Sequence, residues 1–182
     1  GGSSLHVVAS SERPRPRPLR PRGLPGATPD ELVAFTLQLD DLNRQISGAG
    51  ATVTALLTET QAIKETLLRS RAPQTLRDRA RTMELDLLDI QQALEGNETR
   101  SLYSEGGPVS IGQRLEVARF GTFRSTYGPT AMHERMVEIA LEQFEAVKTR
   151  LQQLNQNEMP ALRRDLDTSG VPWTPGRGVP AD

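Results

Sequence analysis

The chain has 182 residues, 36% hydrophobic but only 4% aromatic, which suffices for one domain with a core of Leu, Ile, Val, Met and Ala, a palette that favours helices over strands. Its 22 basic and 23 acidic residues give a formal charge of −1, a balance that argues against a nucleic-acid binder. It has no Cys, which excludes thiolate metal sites, thiol catalysis and disulfides, and no apolar run approaches the roughly 20 residues of a membrane span.

In chain order, Gly1-Gly2-Ser3-Ser4 has neither Met nor a leader and reads as a linker or as the start of a piece of a longer chain. Leu5-His6-Val7-Val8-Ala9 is a β-like run too short to stand alone, and fits the last strand of a preceding domain. From Ser11 to Pro29, Pro14, Pro16 and Pro18 hold the backbone near polyproline II, and the Arg residues among them repel and extend it. This stretch reads as a stiff spacer, or as a ligand for a proline-reading domain or an acidic surface. Residues 1–27 are thus expected to form an extended linker.

A helix is expected over 29–68. Thr28 is its N-cap, Pro29 its first residue, and Glu31 completes a capping box. Leu32, Phe35, Leu39, Leu42, Ile46, Ala49, Val53, Leu56, Thr60, Ile63 and Leu67 alternate steps of three and four, a heptad seam on a rod of roughly 60 Å. Ser47-Gly48-Ala49-Gly50 is the weak point, since each helical Gly costs roughly 1 kcal/mol against Ala. The apolar phase passes through it without a slip, so the helix is expected to be continuous, with room for a close crossing or a mild bend.

A second helix is expected over 73–95, with Leu76, Ala80, Met83, Leu87, Ile90 and Leu94 as its seam, widened by Leu85 and Leu88. Gly96-Asn97 suits its C-cap. A loop through Gly106-Gly107-Pro108 follows, and the Asn97-Glu98-Thr99 triplet reads as a chance match to a glycosylation sequon. Ser110 and Gln113 form a second capping box opening a short helix over 110–124. Its stripes, Ile111, Leu115 and Ala118 against Val117, Phe120 and Phe123, suggest burial on more than one side.

The last helix is expected over 129–168, entered through Gly128-Pro129-Thr130 and seamed by Val137, Ala140, Phe144, Val147, Leu151 and Leu154. Pro160 should kink it at about residues 157–159. Gly170 and Pro172 end it, and residues 173–182 form a Pro- and Gly-rich tail. Two long helices braced by two short ones give an all-α, antiparallel up-down-up-down bundle over residues 28–172.

Few residues suggest chemistry. A di-iron site needs Glu-x-x-His on two helices, but the only histidines, His6 and His133, each lack a Glu three residues before. His133 and Glu134 are adjacent and point apart, so a capping or solvent-exposed role is expected. Glu138, Glu142 and Glu145 form an acidic stripe, read as a solvated face or a partner for Arg residues of the second helix, with a cation site as the sharper alternative. Arg77, Arg79 and Arg81 are read as surface or inter-helix pairing residues, although Arg77 and Arg81 share a face that could grip an acidic group. No phosphate-binding glycine loop, Gly-x-Ser-x-Gly or dinucleotide fingerprint occurs. No catalytic, cofactor-binding or metal residue is therefore expected. Trp173, the only Trp, follows the helix stop and either folds back over the bundle or docks on a neighbouring domain.

The order of these pieces resembles the C-terminal region of bacterial BNR-repeat, sortilin (VPS10)-like propeller proteins, often described as glycosyl hydrolases. Leu5 to Ala9 is similar to the family's last strand, Arg13 to Arg22 to its basic, proline-containing link, and Leu39-Asp40-Asp41-Leu42-Asn43 to a segment of its long helix. Gly128-Pro129-Thr130, Met159-Pro160-Ala161-Leu162 and Gly170-Val171-Pro172 resemble the start and close of its last helix. The Arg-Pro link is longer than that pattern, the first helix is richer in glycine, and no Ser-x-Asp-x-Gly-x-x-Trp box occurs. The resemblance implies a non-catalytic accessory domain of a larger exported, extracytoplasmic protein, braced against the rest of its parent chain, with any hydrolase site on a propeller outside these residues. The other reading is a stand-alone helical adaptor that binds a partner helix or itself through the heptad seams. Neither reading calls for nucleic acid, membrane insertion or a cofactor.

Overall fold

A computed structural model of the chain describes residues 26–96, 107–124 and 128–171. Helix α1, Pro29–Leu68, begins as its sequence demands. The Glu31 backbone N–H donates to Thr28 Oγ1 at 3.3 Å, and the Glu31 carboxylate accepts from the Thr28 N–H at 2.7 Å. These bonds, the backbone one foremost, hold the Glu31 carboxyl below its ordinary value of 4.5. A carboxylate with a lowered folded-state pKa stabilises fully above its unfolded value and loses that contribution as pH falls through the folded one. Protection of the first-turn α1 amides, taken relative to their intrinsic exchange rate at each pH, is therefore expected to fall as pH drops through the acid range in the wild type, and much less so in Glu31→Gln.

α1 runs unbroken through Gly48 and Gly50. Gly50 faces Glu95 at the end of the next helix, at ordinary contact distance, while a Cβ on Gly48 would meet nothing within 4 Å. Gly48 is thus a helix-interior glycine without a packing role. Gly48→Ala is expected to stabilise the protein by about 0.5–1 kcal/mol, read as a higher urea midpoint at unchanged slope. The seam's polar exception is also resolved. Thr60 is fully buried, and its hydroxyl donates to the Leu56 carbonyl at 2.7 Å, so no polar group is stranded.

The remaining elements are α2 (Gln74–Glu95), α3 (Ile111–Arg124), α4 (Ala131–Gln153), a π turn (Leu154–Glu158) and α5 (Met159–Thr168). The last three form one rod. The irregularity expected at residues 157–159 takes the form of this π turn, which begins at Leu154 and closes with the Met159 N–H donating to the Leu154 carbonyl. Pro160 follows directly: it cannot donate to the ladder, and its ring would crowd the carbonyl four residues back in a regular α turn. The rod ends at Gly170 with φ of 62°, where the Val171 N–H reaches the Leu166 carbonyl at 3.0 Å and Val171 is buried. This six-to-one closure uses glycine because the left-handed backbone disfavours a Cβ.

The chain is all-α, a bundle of four helices with no strand among the described residues. Its path differs in one respect from strict up-down-up-down order. α2 runs antiparallel to α1, with Lys64 paired to Glu84 and Gly50 beside Glu95. α3 then continues in the direction of α2: it takes off where α2 stops, so close that a Cβ on Gly112 would lie 3.0 Å from the Leu94 carbonyl. α4 is antiparallel to α3, with Arg114 bonded to Gln143 and Gly121 against His133. The final rod therefore runs parallel to α1, with Gly128 packed on Ala27 at one end and Arg163 on Glu59 towards the other. The reason is length. α2 and α3 end to end match one long helix, whereas a reversal would lay α3 beside α2 and leave half of both long rods uncovered.

One continuous core results. Leu42, Val53, Ile63 and Leu67 of α1 meet Leu87 and Leu94 of α2, Ile111 and Ala118 of α3, and Val137, Leu154, Leu162 and Leu166 of the last rod. We call the end where α1 and α4 begin and α3 stops the base, and the opposite end the crown.

Candidate interaction surface

At the crown, charged side chains tie the helices to one another. Arg163 of α5 donates through Nε and Nη2 to the two carboxylate oxygens of Glu59 on α1, each at 2.6 Å. Arg150 bonds Glu158 of the π turn and Asp86 of α2, and those bonds, Glu158 first, raise its guanidinium pKa. Hydrogen bonding to Glu59 likewise raises that of Arg163. Arg79 pairs with Asp165, and Lys64 with Glu84. Arg77 takes another role: its Nε donates to the Leu67 carbonyl at 3.2 Å and its Nη2 to the Ser70 carbonyl at 2.9 Å. It thus brings a cation to the negative end of that helix, adding a donor to the Leu67 carbonyl, which also accepts from Ser70, and one to the Ser70 carbonyl beyond it. Arg81 is exposed and does not share the task. The Arg77–Arg79–Arg81 run therefore divides into a cap, an inter-helix pair and a surface residue.

The other residues singled out from the sequence fall as follows. His133 is buried, and its Nδ1 accepts from the Thr130 N–H at 3.2 Å, so it caps α4 while its ring lies over Gly121. Glu134 is exposed. In the acidic stripe Glu138 pairs with Arg135 and Glu145 with Lys148 along α4 itself, and Glu142 is exposed, so the stripe is a solvated face and not a partner of α2. Among the described residues, no three His, Asp or Glu side chains converge as metal ligands. Trp173 and the Asn97–Thr99 triplet lie outside the described residues. The pair missed in the sequence is Glu59–Arg163, and a signal for it exists. Glu59 stands three residues after Leu56 and four before Ile63, so it shares the buried face of the seam, where an unpaired carboxylate is not tolerated.

The base is arranged differently. Between the first turns of α1 and α4 lies an open groove of about 670 Å³. Phe35 and Val137 form its floor, both buried in the core behind it. Glu31 and Gln38 stand on the α1 side, Glu134 and Glu138 on the α4 side, and Gly26 and Pro129 at the end where the chain arrives. Among the described residues, three carboxylates and no basic side chain line it. Around the same end, large apolar side chains face solvent: Val33 and Leu37, one turn apart on α1, are 59% and 63% exposed, Phe120 near the end of α3 is 64% and Met132 on α4 is 54%. Leu85 and Leu88, which widen the apolar face of α2 in the sequence, are also half exposed. Among the described residues, no helix is long and apolar enough to cross a membrane.

No known family, no curated protein and no solved structure matches this chain. What is defined is the class, an all-α helical bundle.

Proposed function

We propose that this chain is a non-catalytic helical interaction domain that docks protein at its base. The observation that carries the reading is the asymmetry between its ends. Polar groups at the crown are spent on holding the helices together, with Leu68 exposed beside them, while the base has an acidic groove between α1 and α4 and four exposed large apolar side chains on the three helices that meet there. Exposed apolar residues grouped with a charged cleft are the ordinary makings of a protein contact. Taken with the resemblance to the BNR-repeat, sortilin-like proteins, the reading becomes an accessory domain at the C-terminus of a larger exported, extracytoplasmic propeller protein, braced against its parent chain. The Val33–Leu37 spacing favours a second reading, an adaptor that pairs with a helix or with its own copy.

The intact mass of the native protein from its source separates the two. A mass well above 20.0 kDa supports the accessory domain, and one near 20.0 kDa overturns it in favour of the adaptor. For docking itself, Leu37→Glu and Phe120→Glu are expected to abolish partner or self-association measured by sedimentation, at unchanged helicity. Association that survives both substitutions would remove the base from consideration, and glycoside hydrolysis by the purified chain alone would overturn the non-catalytic reading.

A further inference from the structure

At its start, α4 departs from the usual capping box in one residue. The third helical position is ordinarily Glu or Gln, whose oxygen accepts the N–H of the N-cap. Here it is His133, and its Nδ1 accepts the Thr130 N–H at 3.2 Å, with the Thr130 hydroxyl also 3.2 Å away. An imidazole nitrogen that accepts carries no proton, so the ring is neutral with its hydrogen on Nε2, the side that lies against Gly121 of α3. The residue is buried. Charged residues on the helices that meet at the base are engaged elsewhere or exposed. On α4, Arg135 pairs with Glu138 and Glu134 is exposed. On α3, Arg114 bonds Gln143 and Met136, while Glu116 and Arg119 are exposed. In the first turn of α1, Glu31 bonds Thr28 and Asp30 is exposed. Among the described residues, no carboxylate bonds the ring to hold a proton on it.

We propose that His133 is a proton-operated latch on the base. A proton on Nδ1 turns that acceptor into a donor facing the Thr130 N–H, so the cap must break. It also sets a positive charge at the positive end of α4, in a buried place without a counter-ion. The ring can take the proton only by swinging out of the α3–α4 contact. That leaves the first turn of α4 uncapped and the space over Gly121 empty. Met132 precedes His133, Phe120 precedes Gly121, and both are exposed, so the change is delivered to the base surface. The sign follows from where the proton is welcome. The unfolded chain takes it freely and the capped ring does not, so the contact is fully stabilised at neutral pH and weakens as pH falls through the imidazole range. The Glu31 cap of α1 responds separately, in the carboxylate range. That the latch governs docking rests on the reading of the base as a docking surface. The latch itself belongs to the fold and is measured with no partner present, so the two fail separately.

Amide exchange on the full chain provides the test. The reporters are the Thr130 N–H, which bonds the ring, and the Glu134 N–H, which bonds the Thr130 carbonyl at 3.1 Å. A ring that takes its proton only once opened, with an ordinary imidazole value of about 6.5, lowers their protection about tenfold between about pH 7.5 and about pH 5.5, relative to intrinsic exchange. Amides in the middle of α2 should keep theirs over the same range. His133→Gln retains an acceptor that does not titrate, and should abolish the response. His6→Gln, which alters the only other histidine, should leave it intact. Constant protection in the wild type overturns the proposal, as does a loss that persists in His133→Gln or that α2 shares in full. Should His133→Gln fail to fold by far-UV circular dichroism, the 15N titration of the wild-type imidazole decides. The loss of protection must then follow the His133 ring, and a protonated ring with the Thr130 amide still protected overturns the latch.

Discussion

Replacing Arg163 with Ala is expected to cost about 2–4 kcal/mol of folding stability at neutral pH. The reason lies with its partner. The Glu59 side chain is 6% exposed, and its two carboxylate oxygens accept the two 2.6 Å bonds from Arg163. Without the guanidinium, a carboxylate is left inside a helix interface with nothing to replace its hydration. The Arg163 side chain is 35% exposed, so water reaches one side of the pair, and the expected loss extends below the range for fully enclosed pairs. Glu59→Gln should cost less, about 1–2 kcal/mol, because the charge then left over is the half-solvated one. Glu59→Leu with Arg163→Leu should return to within about 1 kcal/mol of the wild type. Urea unfolding followed by circular dichroism on the four proteins measures all three differences. A loss below about 0.5 kcal/mol for Arg163→Ala would mean that the pair is solvated and does not tie α1 to α5.

The pair also answers a question the apolar seam leaves open. A heptad pattern of Leu, Ile and Val is nearly unchanged by sliding one long helix along another by a full repeat. Glu59–Arg163 fixes α1 against α5, and Arg150, bonded to Asp86 and Glu158, fixes α2 against the π turn. Register at the crown is thus set by charge, and the same register brings Phe35 opposite Val137 to form the groove at the base.

Much of this was legible in the sequence for physical reasons. Thr28-Pro29-Asp30-Glu31 can do little but start a helix, and ten alternating steps of three and four along a seam apolar but for Thr60 can do little but continue it, even across Gly48 and Gly50. The direction of α3 was not legible. It is decided by how well two short helices cover two long ones, a tertiary quantity that spacing along one helix does not encode. The π turn was only half visible: Pro160 announces a fault in the ladder, but whether the rod kinks or adds a residue to one turn depends on keeping Leu154, Met159 and Leu162 all buried on one side. The base groove was invisible for a similar reason. Glu31, Glu134 and Glu138 lie on helices 100 residues apart, and only the parallel course of α1 and α4 brings them together.

Gly121→Ala is expected to destabilise by about 1–3 kcal/mol, although the same exchange at Gly48 should stabilise. Both glycines lie inside helices, where Ala is the better residue by about 1 kcal/mol, so the sign is set by surroundings alone. Open space surrounds Gly48, whereas a Cβ on Gly121 would overlap the His133 imidazole. That ring cannot simply swing away. Its Nδ1 accepts the Thr130 N–H at the start of α4, and the residue is 8% exposed. To make room, the cap must open or α3 must move off α4. Adding His133→Ala to Gly121→Ala should recover most of the packing loss and leave the cost of the missing cap, about 1 kcal/mol. A double variant no more stable than Gly121→Ala would show that the glycine serves something other than the ring. Because Phe120 adjoins Gly121 and Met132 adjoins His133, the single variant should also shift the base surface. If the base docks protein as proposed, that association is then expected to weaken before helicity does, a sequence that unfolding of the bundle as a whole would not produce.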